Sequence, residues 1–240
     1  FDTEARLMGG YGIVGGQIPL ATGAALALTY RGEPGPDADV VMCLLGDGAT
    51  NIGAFHESLN LAGLWRLPIV YVVVNNRLGM GTSVEAAAAE PELFKRGSSY
   101  RIHGERVDGD DVLAVRDATG AALERARTLR EPGLVEAMSF RLRGHSVVDP
   151  ARYRSIEDTS LAQSSDPVPA FRARLVATGV LTAAEAAAID EAADQQVTAA
   201  VDFADKSPDP SSDQLFAYVY ATAVSQASDS LPGDPVMEAL

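Results

Sequence analysis

The sequence predicts an α/β fold, a mainly parallel sheet flanked by helices, with a helical C-terminal extension. Three observations lead there. Two short, wholly apolar runs, residues 40–45 and 67–74, are separated by a segment with helical spacing at Phe55, Leu59, Ala62 and Trp65. Apolar runs of that length, bounded by glycine and rich in Val and Ile, are the mark of strands buried on both faces. The alternation then continues, with a weak strand at 105–107, a helix over 110–129 and a strand at 134–142.

The elements follow in order. Residues 2–8 form a poor strand, and a glycine-rich loop occupies 9–16. Residues 17–30 are rich in small side chains and read as a helix, with Pro19 in its first turn, where proline is tolerated. Residues 31–39 carry Gly, Pro and Asp and form a loop. The run 40–45 is expected to be a central parallel strand, followed by a helix over 53–66 and a second strand over 67–74. Asp110 or Asp111 opens the helix that runs to Leu129. Residues 144–166 turn polar, and helices are expected over 168–178 and 182–206, where Thr182 and Glu185 make a T-x-x-E capping box. A Pro/Asp/Ser linker at 207–212 precedes a short last helix over 215–223. The division expected is an α/β core over 1–150 and a helical extension over 151–240. A glycine-rich loop so close to the first residue suggests a fragment or one piece of a split protein.

Composition narrows the function. Hydrophobic residues make up 47% of the 240, enough for a sizeable core, and no apolar run approaches the ~20 residues of a membrane span. The net charge of −14 argues against non-specific nucleic-acid binding, which needs a positive footprint. The only cysteine, Cys43, lies in an apolar run, allows no internal disulfide and suits a reducing cytoplasm.

The strongest chemical signal is Gly46-Asp47-Gly48, separated by 26 residues from Asn75-Asn76. Both sets fall where strands end, on either side of one crossover helix, and ligands of open α/β sheets bind at the carboxyl ends of strands. Asp47 offers a carboxylate and Asn76 an amide oxygen, the hard donors magnesium takes while keeping substrate phosphates in its shell. The glycines admit phosphate to the backbone, and the following helix start favours anions. A metal-bridged diphosphate follows. Alone, Gly46-Asp47-Gly48 could be a tight βα turn; the asparagine pair is what a turn does not require.

This pattern resembles the thiamine diphosphate motif. The chain is similar to the alpha subunit of the dehydrogenase component of 2-oxoacid dehydrogenase complexes, closest to the pyruvate type. The resemblance rests on GGYGIVGGQIPLATGAALA, GDGATNIGAFHESLNLAGLWRLPIVYVVVNN, GMGTSVE, KRG, RVDG and RLRGHSVVDP, spanning residues 9–150, and weakly on YRS, SDPVPAFRARL and PDPSSDQLFAYVYA beyond.

The resemblance implies a thiamine diphosphate-binding fold with thiamine diphosphate and Mg2+ as cofactors. Asp47 and Asn76 bind the metal by side chains and Leu78 by its carbonyl. Gly48 and Ala49 meet the diphosphate, and Gly12 and Val14 the aminopyrimidine ring, all through backbone. Arg141 and His145 match basic residues on a mobile loop over the cofactor, with His145 in the catalytic role. Ser146 matches a serine phosphorylated in mitochondrial relatives. The implied reaction is oxidative decarboxylation of pyruvate, with the acyl group passed to the lipoyl arm of an acyltransferase core. The implied partner is a beta subunit in an α2β2 assembly, which brings the glutamate that activates the cofactor. The implied compartment is the cytoplasm, or the mitochondrial matrix in a eukaryote. The family's alpha subunit also begins with a longer stretch that has no counterpart here, and an arginine that contacts the diphosphate lies within it. Position 52 is Ile where many relatives carry a polar residue, and Leu78 stands where Tyr is common.

Other readings compete. Gly10 to Gly15 formally match G-x-G-x-x-G, but a nicotinamide site needs a strand just before it, and residues 2–8 supply a poor one. His56 reads as a packing or surface residue, His103 as solvated, Trp65 as packing between helix and sheet. Arg141 and Arg143 alternate on a strand end. Acetoin or branched-chain 2-oxoacids are the alternative substrates. A non-catalytic subunit that kept the fold without a complete site is the rival from another class.

Overall fold

The computed structural model describes residues 2, 4–155 and 166–214. They fall into two compact units, Phe1–Val180 and Leu181–Leu240. The first begins with α1 (Gln17–Arg31), β1 (Val41–Gly46), a 3-10 turn (Asp47–Asn51), α2 (Gly53–Trp65) and β2 (Ile69–Asn75). A two-stranded hairpin follows, β3 (Leu78–Gly79) and β4 (Thr82–Ser83), then α3 (Val84–Ala87) and a second 3-10 segment (Leu93–Tyr100). The unit ends with β5 (His103–Asp108), α4 (Val112–Leu129), β6 (Gly133–Met138) and α5 (Pro167–Ala177). In the second unit lie α6 (Ala183–Lys206) and a short 3-10 turn (Ser212–Gln214).

The main sheet has strand order β1-β2-β6-β5, every pair parallel. This is the α/β sheet that the alternating pattern predicts. Side chains alternate across β2 with period two. Ile69, Tyr71 and Val73 join one core with Ile18, Phe55 and Leu59 of α1 and α2, whereas Val70 and Val72 join another with Ala122 and Ala126 of α4. Each fully buried large side chain contributes roughly 1.5–3 kcal/mol. A polar pin ties the first core together: the Tyr71 hydroxyl lies 2.8 Å from Thr22 Oγ1 and donates to Ser58 O at 3.4 Å, joining β2 to α1 and α2.

Local chemistry sets the element ends. Asp111 caps α4 by accepting from the N–H groups of Leu113 and Ala114, which settles which of the two aspartates opens it. Thr182 and Glu185 form the expected reciprocal capping box on α6. Among the described residues of 2–8 there is an isolated bridge between Asp2 and Leu7 and no longer strand, in keeping with a poor strand.

Several expectations are corrected. Among the described residues β1 is an edge strand rather than a central one, with Met42 and Leu44 exposed on the α4 side of the sheet, where α4 packs on β2, β5 and β6. Trp65, the last residue of α2, is 47% exposed rather than buried between helix and sheet. The last strand stops at Met138 instead of reaching 142. Its neighbours end level with it at Asn75 and Asp108, so no ladder remains beyond Ser139 N, which donates to Asn75 O at 2.9 Å. Arg141 and Arg143 therefore sit past the strand, not on it. The hairpin and the 3-10 segment over Leu93–Tyr100 have no periodic signal, and their polar sequence hides the burial of Leu93 and Gly97. The helix expected over 215–223 lies outside the described residues. No helix among them is long and apolar enough to cross a membrane.

Candidate functional site

Asp47, Asn76 and Arg141 follow the carboxyl ends of three adjacent strands, β1, β2 and β6. That is where a parallel sheet presents its ligand site.

Asp47 opens the 3-10 turn after β1 and is 6% exposed. Burial raises its carboxyl above the usual range, against hydrogen bonds from its own and the Gly48 backbone and the positive charge of Arg141, which lower it. A buried carboxylate that is costly to ionise gains from a cation. Ala49 and Thr50 are buried behind it. Gly48 faces Gly79 of the hairpin: a Cβ on Gly79 would stand 3.5 Å from Gly48 Cα and 3.9 Å from Asp47 Oδ2. A cavity of about 230 Å³ opens here, lined by Asp47, Gly48, Asn51, Gly79, Thr82 and Leu93 among others. A larger cavity of about 650 Å³, lined by Arg66, His103 and Pro132 among others, is at the opposite, amino ends of the strands, away from the buried carboxylate.

Asn76 and Leu78 turn towards the same place. Asn76 Oδ1 accepts from Leu78 N at 3.4 Å and from Arg141 Nη2 at 3.4 Å. The same Nη2 donates to Leu78 O, and Nη1 donates to Met80 O at 2.8 Å. A guanidinium thus stands against both oxygens that the sequence singled out on β2 and its turn, and its charge is felt at Asp47. These donors fit a hard divalent cation: one carboxylate, one amide oxygen and one carbonyl, leaving positions for phosphate and water. Among the described residues no group of three or more His, Cys, Asp or Glu could hold a metal without such help.

The structure does not bring every expected residue to this point. Gly12 and Val14 are exposed on the glycine-rich loop, whereas Asp47 is buried. The loop is tied in through Gly15, which has a φ of 77°, and whose missing Cβ would lie 2.1 Å from Ile52 Cδ1 just after the 3-10 turn. His145 and Ser146 are exposed. His145 N donates to Asp149 Oδ2 at 2.7 Å, and Asp149 also accepts from Ala151 N and the Tyr153 hydroxyl. Those bonds, Tyr153 first, pull the Asp149 carboxyl down to about 2. Tyr153 in turn packs on Gly81 of the hairpin.

Sequence reasoning missed supporting residues. Arg96, inside the quoted KRG stretch, donates to Thr50 O at 2.7 Å, Thr50 Oγ1 at 3.0 Å and Asn51 Oδ1 at 3.0 Å, closing the turn that carries Asp47. Glu136, fully buried on β6, is a second such residue, and its place in the apolar run over 134–142 marks it only as part of a strand. A charged residue in an otherwise apolar run was the available signal. The readings of His56, His103 and Cys43 hold. His56 Nδ1 packs 2.9 Å from the Tyr100 hydroxyl, and His103 is exposed. Cys43 is buried, and burial pushes its thiol up to about 11, as for an inert core residue.

A parallel sheet with Gly-Asp-Gly and Asn-Asn at adjacent strand ends defines an α/β chain suited to an anionic cofactor held through a cation, and the comparisons narrow that class. Residues 1–213 match the family model described as "Dehydrogenase E1 component", and the chain belongs to that family. It is 42% identical over 217 residues to "Pyruvate dehydrogenase E1 component subunit alpha" of Rhizobium meliloti (strain 1021), which covers 90% of this chain and 61% of that one. It is 41% identical to the chloroplastic alpha-3 subunit of the same enzyme from Oryza sativa subsp. japonica, over 92% of this chain and 53% of the relative. The homologue from Zymomonas mobilis is 42% identical over 90% and 60%. The chain thus spans little more than half the length of these relatives. The family implies thiamine diphosphate as cofactor.

Proposed function

We propose that this chain is the cofactor-anchoring part of the alpha subunit of a pyruvate dehydrogenase, acting with a beta subunit and delivering acyl groups to the lipoyl arm of an acyltransferase. The observation that carries the reading is the convergence of Asp47, Asn76 Oδ1 and Leu78 O at adjacent strand ends, with the Arg141 guanidinium already standing among them. The names of the relatives support pyruvate over acetoin or branched-chain substrates.

Asp47 supplies the negative charge that holds Mg2+, Asn76 and Leu78 supply neutral oxygens, and Gly48 and Ala49 meet the diphosphate through backbone. Arg141 adds a positive charge that a diphosphate meets on arrival, with a donor pair suited to phosphate oxygens. The exposed backbone of Gly12 and Val14 is free to meet the cofactor's ring, and His145, exposed on the loop, to meet the lipoyl arm. Bound thiamine diphosphate supplies the carbanion chemistry that removes carbon dioxide from a 2-oxoacid; the protein supplies position and electrostatics. The lone buried cysteine suits a reducing compartment, the cytoplasm or a matrix.

The test uses the full-length protein co-expressed with its beta subunit. Pyruvate decarboxylation, followed with an artificial electron acceptor, should require both thiamine diphosphate and magnesium. His145→Ala should spare that activity and impair acyl transfer to a lipoyl substrate. Decarboxylation that persists after thorough chelation, or no turnover of any 2-oxoacid, refutes the assignment.

A further inference from the structure

The first asparagine of the pair takes no part in the chemistry above. Asn75 ends β2 and is 2% exposed. Its Nδ2 donates to Glu136 Oε1 at 2.6 Å, and its Oδ1 accepts from Arg77 N at 3.0 Å. Which way an asparagine amide faces is decided by its partners. Here the partners leave one answer. A carboxylate has only acceptors to offer. Glu136, fully buried on the neighbouring strand β6, accepts from Asn75, from Phe94 N at 3.1 Å, and from Arg106 Nε at 3.0 Å and Nη2 at 3.2 Å. The amide nitrogen of Asn75 must therefore face Glu136, and its oxygen must face the turn.

That turn needs holding. Arg77 has a φ of 69°, a conformation uncommon outside glycine, and its guanidinium lies 4.0 Å over the Phe140 ring. The two oxygens assigned to the metal, Asn76 Oδ1 and Leu78 O, flank it in the chain. The sheet itself does not require a charge at 136, because apolar residues often replace a buried ion pair without loss of stability.

We infer that Glu136 is a positioning residue for the metal-binding turn: it fixes the orientation of the Asn75 amide, which holds the Arg77 N–H and so sets where Asn76 and Leu78 present their oxygens. This deepens the function proposed above and rests on it.

The experiment is a swap. Glu136→Gln places an amide where only acceptors stood. When that amide's nitrogen meets Asn75, Asn75 must turn over, and its own nitrogen then opposes Arg77 N. Asn75→Ala removes the link while leaving the Glu136–Arg106 pair in place. The double variant Asn75→Asp/Glu136→Gln exchanges the two groups, keeps the net charge and restores donor against acceptor. The full-length protein with its partner subunit is saturated with thiamine diphosphate and titrated with Mn2+, read by the paramagnetic resonance of the free ion, alongside thermal midpoints.

Glu136→Gln and Asn75→Ala should each weaken Mn2+ affinity by about 10–100-fold, as loss of a group behind a metal ligand does. The double variant should recover about tenfold of the Glu136→Gln loss, which a merely structural role for either side chain does not predict. Folded single variants that bind Mn2+ as the parent does overturn the inference, as does a folded double variant no better than Glu136→Gln. If Glu136→Gln does not fold, Asn75→Ala decides the matter by itself. A parent protein without cofactor-dependent Mn2+ binding brings down the proposed function and this inference together. A parent that binds beside unaffected variants brings down the inference alone.

Discussion

Asp47 illustrates how a residue proposed to bind a metal can work against the stability of the chain that carries it. It is buried at a strand end, and burial raises its carboxyl in spite of Arg141 and the surrounding N–H groups. The sign of the consequence follows. A carboxyl raised in the folded state favours the protonated fold, so its contribution is fully present below the ordinary carboxylate range near 4 and is lost as pH rises through the folded value. At neutral pH without metal, the ionised Asp47 is a cost. Asp47→Asn should therefore raise the thermal midpoint of the cofactor-free protein at pH 7, with the gap narrowing towards pH 4, and should abolish metal-dependent cofactor binding. Thermal scans across that pH range check it, and a gap that widens on acidification contradicts it. The placement of Asp47 and Asn76 at adjacent strand ends was legible in the sequence because Gly-Asp-Gly and Asn-Asn are local patterns that follow apolar runs. The role of Asn75 was not, since nothing in residues 75 and 76 announces a partner at 136.

At the scale of elements, two irregular segments do the positioning. The 3-10 segment over Leu93–Tyr100 puts Arg96 across the Asp47–Asn51 turn, where it satisfies Thr50 O. A carbonyl at a helix end needs such a donor. Arg96→Ala should destabilise the protein by about 1.5–3 kcal/mol, the range for a hydrogen bond with a charged partner, as read by denaturant unfolding. A loss within the ~0.5 kcal/mol of an ordinary surface change would mean that water replaces it. The second segment follows β6. The sequence predicts a mobile loop there, and the structure gives it a hub, with Asp149 gathering His145, Ala151 and Tyr153. Asp149→Ala should speed tryptic cleavage after Arg143 several-fold. The Asp149 carboxyl is lowered to about 2. The hub is then whole above the ordinary value near 4 and is lost as pH falls towards 2. An acid-stable protease such as pepsin should cut this loop progressively faster across that window, and a rate of loop cleavage that stays flat would remove Asp149 from the role.

For the molecule as a whole, the site is the meeting of three strand ends and so depends on the sheet being assembled. Anything that binds the folded state alone stabilises it by mass action. The full-length protein with its partner should gain about 2.7 kcal/mol from thiamine diphosphate and Mg2+ at ~100 times the dissociation constant, and chelator should remove that gain. Equal stabilisation with and without chelator would break the metal bridge. In the second unit, α6 opens on its capping box and carries Ile189, Val197, Val201 and Phe203 exposed.

The sequence by itself determined the alternation of strands and helices, the caps at Asp111 and Thr182, and the Asp47 and Asn76 pair. All of these rest on periodicity or on side chains acting on their near neighbours in the chain. It also fixed the family, through motifs that keep their order over residues 9–150. Only the tertiary structure decided that β1 lies at an edge, that the last strand stops at Met138, and that Arg141 reaches Asn76 and Leu78. It alone put Glu136 against Asn75 and Arg96 over Thr50, across 61 and 46 positions of chain. Pairing between strands is a non-local matter: a strand's length is set by where its neighbours end, and an arginine's partner by which turns the sheet brings within reach of its side chain.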